Sequence, residues 1–585
     1  MKSFCELSED GKRIEVYFHW NPVFVEGIKE INGRKFVPKD KGGPFWTVPK
    51  DIGTARHLRQ VMGDGLELGD AVKAWANEER RTARNLASMA VSDDARLPVL
   101  SEKIPELEKW LRPYQKADAA MMARTSVLNA NEPGLGKTAE VIAAVVESGL
   151  DQGPQLVVAP KTALESVWYD HVTKWLGCDV FILSGETQTW DESLEFIREL
   201  HGKKRPFWVV TTAAQVRAGL GIDITWNTFT IDEFHTTGLT NVSGDPSKGT
   251  QFGRAVRNVK RKRLFLVSGT PIGGKPIKIW GALHHLHSDK FTSKWRWADR
   301  WLDISDNGYG KVIGGIKRDM VDEFYPEHAQ YIIRRLKSEV LPQLPPKQYI
   351  DVWCDMLPAQ AKQYDQMEKK AEVRIEEERL SAVGVLAEYT RLKQFANAKC
   401  KIDYSSKGDP ILIPQASGKL EYLIEKLDEL GIRKDDPVGD AVSVVCSQSR
   451  EYVDWLADQL NKKGIKSEKI TGKVTGEMRT DIQRRFQSGK NSPRVIVMTT
   501  TAGGMSIDLD RADTIHIMDE TWNPDNQSQA EDRLHRASRI HQVMCYYYRS
   551  RGTIEEAIKE VTEGKAVTQT NIMDIRRRMF IERDT

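Results

Sequence analysis

Asn131-Glu132-Pro133-Gly134-Leu135-Gly136-Lys137-Thr138 is the stretch whose residue types most directly name a chemistry. It follows Val127-Leu128, which reads as a buried strand, and opens the Ala/Val-rich run Ala139 to Val146, which reads as a helix. A strand, a glycine-bearing turn and a helix N-terminus make a phosphate cradle, because backbone N–H groups and the helix dipole face the anion. Pro133, Gly134, Leu135 and Gly136 would line it, Lys137 would reach the β- and γ-phosphates of ATP, and the Thr138 hydroxyl would bind Mg²⁺. Asn131 stands where the pattern usually has its first glycine, and a bare Gly-Lys-Thr is also an ordinary turn before a helix.

Two further groups fit the same reaction. Ile231-Asp232-Glu233-Phe234-His235 ends an apolar run about a hundred residues later. There Asp232 can hold the Mg²⁺ shell while Glu233 orients or deprotonates the attacking water; read alone, the pair is equally a solvated turn. In Gln529-Ala530-Glu531-Asp532-Arg533-Leu534-His535-Arg536, a helical spacing puts Arg533 and Arg536 on one face, where two guanidinium groups stabilise charge on the γ-phosphate. Alone, such a pair is usually a surface feature.

The elements that must position these groups follow from composition and periodicity. A chain of 585 residues holds three or four domains. With a net charge of only +3, any DNA contact must come from local patches such as Arg257 to Arg263 or Arg576 to Arg578, each of which read alone is more often a solvated surface. The six cysteines are scattered without a C-x-x-C pair, which argues against zinc and for a reducing compartment, with Cys446 and Cys545 in buried strands. The first residues lack a signal-like apolar stretch and no run reaches membrane-spanning length, so a cytosolic (bacterial or viral-host) or nuclear protein with no membrane association is expected.

Residues 1–72 alternate as a small β-rich module with a helix near Ile52 to Met62, and residues 73–103 read as a helical connector. Residues 104–286 alternate strands and helices as a parallel α/β sheet does, with strands at Leu156 to Ala159, Trp208 to Val210, Phe229 to Ile231 and Leu264 to Val267. Residues 287–415 read as largely helical protrusions and a linker, with no evident wedge hairpin. Residues 416–562 give a second α/β set, and residues 563–585 a basic tail.

These groups stand among landmarks that resemble the Swi/Snf family of superfamily-two DNA translocases. In order they are Leu111-Arg112-Pro113-Tyr114-Gln115, the phosphate loop, Val158-Ala159-Pro160-Lys161, the acidic box and Ser268-Gly269-Thr270-Pro271. Arg334-Arg335-Leu336-Lys337, Leu344-Pro345-Pro346-Lys347, Ser417-Gly418-Lys419-Leu420 and Cys446-Ser447-Gln448 follow. Gly472 with Arg479, Thr500-Thr501-Ala502-Gly503-Gly504, Asp519-Glu520-Thr521-Trp522-Asn523-Pro524 and the arginine box complete the set. The resemblance implies two RecA-like lobes with ATP and Mg²⁺ between them, Arg112 and Gln115 on the adenine side, and an ATPase driven by DNA. It also implies DNA-backbone contacts at Lys161, Thr212, Gly269 and Thr270 in the first lobe, and DNA contacts or coupling to ATP at Gln448, Arg479, Thr500 and Trp522 in the second; each of these residues also suits a cap or core role.

Departures from the family pattern are Phe234 for Ala, Pro133 for Met, Asn131 for Asp, Ser506 and Asp508 for Gly and Asn, and Ala537-Ser538-Arg539 for Ile-Gly-Gln. Asp508 adds negative charge near the implied DNA path. The N-terminal module is similar to the HepA-related (HARP) domain of annealing helicases in Gly33-Arg34-Lys35-Phe36 and Trp46-Thr47-Val48-Pro49. The resulting expectation is a monomeric ATP-dependent translocase that remodels or anneals branched DNA in replication, recombination or repair. Its rivals are a strand-separating helicase, a motor displacing bound proteins such as a polymerase, and a binding module with a dead ATPase.

Overall fold

The computed structural model describes residues 3–560 apart from 32, 185–189, 242–248, 272–274, 307–310, 378–381, 405–409, 434–439, 490–491, 501–506, 523 and 538. The expected landmarks at Thr501 to Ser506, Asn523 and Ser538, and the basic tail with Arg576 to Arg578, lie outside these residues.

Three sheets organise the chain. The N-terminal sheet runs Lys35–Val37, Phe45–Pro49, Arg13–Tyr17, Ser3–Leu7, Leu66–Leu68, antiparallel except for its last pair. Helix Ile52–Met62 covers it, capped by Asp51, whose carboxylate accepts from the Thr54 amide at 2.7 Å. A second helix, Pro22–Lys29, was not evident from the sequence. The connector is the 22-residue helix Asp70–Val91, whose last turns bury Leu86 and Ala90 in the first lobe's core.

The first lobe is a seven-stranded parallel sheet in the order Ile332–Ile333, Val127–Asn129, Arg261–Val267, Trp226–Asp232, Pro154–Val158, Phe207–Thr211, Asp179–Leu183. The second is a six-stranded parallel sheet in the order Gln348–Cys354, Met544–Ser550, Thr514–Ile517, Ser443–Ser447, Val495–Thr499, Ser467–Ile470. Both sheets are covered on both faces, which is why their strands read as continuous apolar runs. Cys446 and Cys545 are buried in strands, as their neighbours suggested.

The middle segment differs from its largely helical expectation. Ile332–Ile333 joins the first sheet, and Gln348–Cys354 pairs along seven residues with Met544–Ser550, placing it inside the second lobe although it precedes residue 416. Two antiparallel hairpins also stand there, Leu302–Asp306 with Lys311–Ile316 and Lys399–Tyr404 with Pro410–Ala416. Short, exposed, mixed-polarity strands such as Lys399–Tyr404 carry neither the apolar run nor the clean alternation by which strands are read.

Candidate active site

In a parallel sheet the loops after the strands gather at one edge, and ligands bind there. In the first lobe this edge carries the phosphate loop after Val127–Asn129, Lys161 after Pro154–Val158, Thr212 after Phe207–Thr211, Glu233 after Trp226–Asp232 and Gly269 after Arg261–Val267. In the second it carries Gln448, Thr500 and Asp519 to Trp522.

The phosphate loop is gripped from three directions. Gly134 and Gly136 both take φ of 83°, a left-handed conformation that favours glycine. A Cβ on Gly136 would stand 2.3 Å from the Gln115 amide nitrogen, and one on Gly269 would stand 2.6 Å from Pro133 Cγ. A Cβ on Gly134 would lie 3.4 Å from Cδ and Nη1 of Arg536, which reaches in from the second lobe. Gln115 Oε1 accepts from the Arg112 amide at 2.8 Å and its Nε2 donates to Leu135 O at 2.9 Å, so both amide atoms hold the loop. Arg112 itself reaches Ala537 O of the second lobe at 3.4 Å.

Lys137 opens helix Lys137–Glu147 and donates its ammonium to Asn131 O at 2.9 Å and Glu132 O at 3.1 Å. Burial pushes its pKa below the ordinary lysine value, partly offset by Glu233 and Asp232. Asp232 accepts from Trp168 Nε1 at 3.0 Å and from the Glu233 amide at 3.0 Å. Burial, then the neighbouring Glu233 charge, raises the Asp232 carboxyl above its usual range. Burial alone would raise Glu233 too, but hydrogen bonding and charge from His235, with Lys137 and Ser268, hold it below the usual range. His235 Nδ1 lies 3.2 Å from Glu233 Oε2 and 2.7 Å from Ser268 Oγ. Adjacent carboxylates driven apart in this way can divide labour, one receptive to a cation and one kept ionised as a base. Glu233 also holds φ of +47°, a conformation costly for a side-chain-bearing residue and concentrated at functional sites. Phe234, unusual at its position, is fully buried in the core beneath the carboxylates.

The cradle, the folded-back ammonium and the cation-receptive carboxyl fit ATP with Mg²⁺. Thr138 and Asp232 are the side chains that would hold the ion.

The arginine pair departs from the expected helical face. The helix Pro524–Glu531 ends before Arg533, and the chain continues as turns, so the two side chains diverge. Arg533 is buried and donates to Ile507 O at 3.0 Å, its pKa pushed down to about 10 by burial and then by Arg536. Arg536 lies over Gly134 and pairs with Asp508, so the charge expected near DNA sits instead on the guanidinium.

The eight expected DNA residues sit in different settings. Lys161 is exposed. Thr212 caps helix Ala213–Ala218, Gly269 packs on Pro133, and Thr270 is buried, accepting from Gln529 of the second lobe at 3.2 Å. Gln448 donates to Glu520 O, Arg479 to Val474 O at 2.9 Å, Thr500 is buried, and the Trp522 ring lies 6.0 Å from Tyr389. The basic run before residue 264 is largely committed to structure: Arg261 donates to Val256 O and Val259 O, and Lys260 pairs with Asp223.

The sequence reading assigned no part to the buried network beneath the loop. Arg335, 1 % exposed, donates through Nε and Nη2 to Asp118 Oδ1 at 3.0 and 2.7 Å. Asp118 Oδ2 accepts from Asn131 Nδ2 at 2.8 Å, and Glu140 accepts from Asn131 and Asn129 at 3.1 and 2.6 Å. Asp118 and Glu140, carboxylates among the apolar residues of helices Pro113–Met122 and Lys137–Glu147, were the available signal.

The SNF2-related domain model matches residues 85–401, and the helicase conserved C-terminal domain model matches residues 418–538. The CHD3-type chromatin-remodeling factor CHR7 of Arabidopsis thaliana is 27% identical over 469 residues, covering 76% of this chain and 36% of that protein. The SWI/SNF-related matrix-associated actin-dependent regulator of chromatin subfamily A member 1 of Homo sapiens is 26% identical over 450 residues, covering 74% and 40%. The chain thus spans well under two thirds of these curated relatives. The Sulfolobus solfataricus SWI2/SNF2 ATPase core in complex with dsDNA aligns over 80% of this chain and 94% of that one, at 21% identity and a TM-score of 0.34.

Proposed function

The chain belongs to the SNF2-related family of DNA-dependent ATPases, and we propose that it is a translocase whose two lobes hydrolyse ATP at their shared edge while moving along duplex or branched DNA. The observation that carries this reading is Arg536 of the second lobe resting against Gly134 of the first. A site completed by both lobes makes hydrolysis depend on their closure and closure depend on the nucleotide.

In this reading Gly134, Gly136 and Lys137 bind the phosphates, Arg112 lies on the adenine side, and Gln115 acts there through the loop and the Arg112 amide that its own amide holds. Mg²⁺, when bound by Thr138 and Asp232, neutralises phosphate charge. Glu233, kept ionised by His235 and Ser268, orients the attacking water and accepts its proton. Arg536 meets the charge that grows on the transferred group, and Arg533 fixes the turn from within the second lobe. Lys161, the exposed member of the expected DNA set, stands at the first lobe's binding edge, where a backbone phosphate would pass.

The decisive experiment measures ATP turnover with duplex, single-stranded and forked DNA and with RNA, alongside displacement of a triplex-forming strand as a measure of movement. Turnover unaffected by any DNA, or stimulated without movement, sinks the translocase reading. Strand separation is the second reading, favoured by the hairpin Lys399–Tyr404 with Pro410–Ala416, whose Tyr404 is 69% exposed; unwinding of a labelled fork tests it.

A role on branched DNA draws support from the N-terminal module. Phe36 is 52% exposed, its ring 5.2 Å from that of the half-buried Trp46, with Lys35 exposed beside it. Unpaired bases stack on such rings, each worth roughly 1–3 kcal/mol. Deleting residues 1–100 would strip Leu86 and Ala90 from the first lobe's core, so Phe36→Ala with Lys35→Ala is the cleaner probe. Fork preference unchanged in that variant would place substrate choice elsewhere.

A further inference from the structure

The turn that carries Arg536 has no helix to stiffen it, and beside the pair of Arg536 with Asp508 it takes ionic support from the other lobe. Lys337 follows the first lobe's edge strand and is buried. Its ammonium donates to Asp532 Oδ1 at 2.8 Å and to His535 O at 2.8 Å, bracketing Arg533 and reaching the residue before Arg536. Its amide donates to Glu132 Oε2 at 2.5 Å, in the approach to the phosphate loop. A Cβ on Gly134 would meet Lys337 Cε at 3.6 Å, beside the 3.4 Å contact with Arg536. One residue therefore holds the phosphate loop through its main chain and the arginine turn through its side chain. Lys347 adds a second cation to the same acidic pair, at 2.7 Å from Glu531 and 3.3 Å from Asp532.

We infer that Lys337 is a positioning residue for phosphoryl transfer, fixing the Asp532–His535 turn from the first lobe so that Arg536 arrives over the phosphate loop. This rests on the reading that Arg536 meets the γ-phosphate. A guanidinium at the end of a loose turn loses most of its effect when misplaced by about 1 Å, because preorganisation rather than charge alone lowers the barrier. The reaction is otherwise unchanged: Lys337 transfers no proton and forms no bond to the nucleotide. Its loss should therefore lower kcat and leave KM for ATP nearly alone, since ground-state binding is held by the loop itself.

The test compares Lys337→Met, Arg536→Ala and the two combined in DNA-stimulated ATP hydrolysis, with thermal melting of each protein. Because Lys337→Met takes the nearer cation from the Asp532 carboxylate and leaves Lys347 at 3.3 Å, the paired variant Lys337→Met/Asp532→Asn is measured as well. Lys337→Met should lower kcat about tenfold or more, change KM by less than about threefold, and add less than about twofold to the loss caused by Arg536→Ala. The paired variant should melt near the native protein yet keep the kcat defect. Multiplying losses in the combined variant, native kcat in Lys337→Met, or recovery of kcat in the paired variant would each overturn the inference in favour of a purely structural bridge. Native turnover in Arg536→Ala alone would instead refute the reading beneath it.

Discussion

Replacing Arg335 by Met should destabilise the first lobe far beyond the loss of one surface ion pair. The guanidinium donates twice to the buried carboxylate of Asp118, and it also donates to Ser92 O at 2.7 Å. Removing it takes the bidentate guanidinium from Asp118, which shares its site with Glu140 and two asparagine amides, and stripping one partner from a buried pair costs about 3–5 kcal/mol. For a lobe of this size each kcal/mol shifts the melting temperature by roughly 2–4 °C, so a fall of about 6–20 °C is expected. Burial, then the Asp118 charge, already raises the Glu140 carboxyl above its ordinary value. The folded state therefore binds more protons than the unfolded one above the usual Glu range, and this group's contribution falls as pH rises toward its folded pKa. Arg335 draws the Glu140 carboxyl down, so its loss raises that carboxyl further and the deficit should grow from mildly acidic to neutral pH. Since Asn131 hangs from Asp118, KM for ATP should rise as well. Thermal melting of the full chain across pH, with ATP titration, checks all three. A deficit below about 1 kcal/mol, or one independent of pH, would refute the argument, and Asp118→Asn/Arg335→Met should recover much of the loss.

Lys137→Ala should weaken both ATP binding and turnover, whereas Glu233→Gln should bind ATP yet turn over at least about a hundredfold more slowly; equilibrium binding beside single-turnover kinetics separates them. Gly269→Ala should cost about 1–3 kcal/mol and raise KM for ATP, because its methyl would stand 2.6 Å from Pro133 Cγ in a packed site. Asp508→Asn should raise turnover without DNA by up to about fivefold, since it frees Arg536 from an exposed pair worth about 1 kcal/mol; a lower basal rate would mean that Asp508 aligns the guanidinium rather than restraining it.

The phosphate loop and the acidic box were legible because each follows an apolar strand, and strand ends in a parallel sheet converge whatever the intervening chain does. Trp168, which lies 64 residues before Asp232 in sequence and donates to it, was not legible, because no local period records a contact across a sheet. Arg533 and Arg536 illustrate a different limit. Their spacing fits a helix, but Pro524–Glu531 stops short, and packing against Ile507 and the first lobe decides where each side chain goes. Ile332–Ile333 and Gln348–Cys354 escaped because a two-residue strand has no periodicity, and because Gln348–Cys354 is an edge strand, exposed enough to read as polar linker. Lys337 lies in a recognised landmark, yet only its reach to a carboxylate 195 residues away gives it a role.

The early entry of Gln348–Cys354 into the second sheet makes the excursion from Pro358 to Ala416 begin and end on the same lobe. Covalent continuity between the lobes then passes through one short bridge, which leaves the first sheet at Ile333 and joins the second at Gln348. A backbone break inside the excursion leaves both sheets with every strand they need. A break between Leu341 and Lys347 yields two fragments, each again owning its whole sheet, joined only by contacts such as Lys337 with Asp532 and Arg112 with Ala537. Halves cut at that point would each keep a complete sheet, and their reassembly would turn an intramolecular stroke into a concentration-dependent encounter.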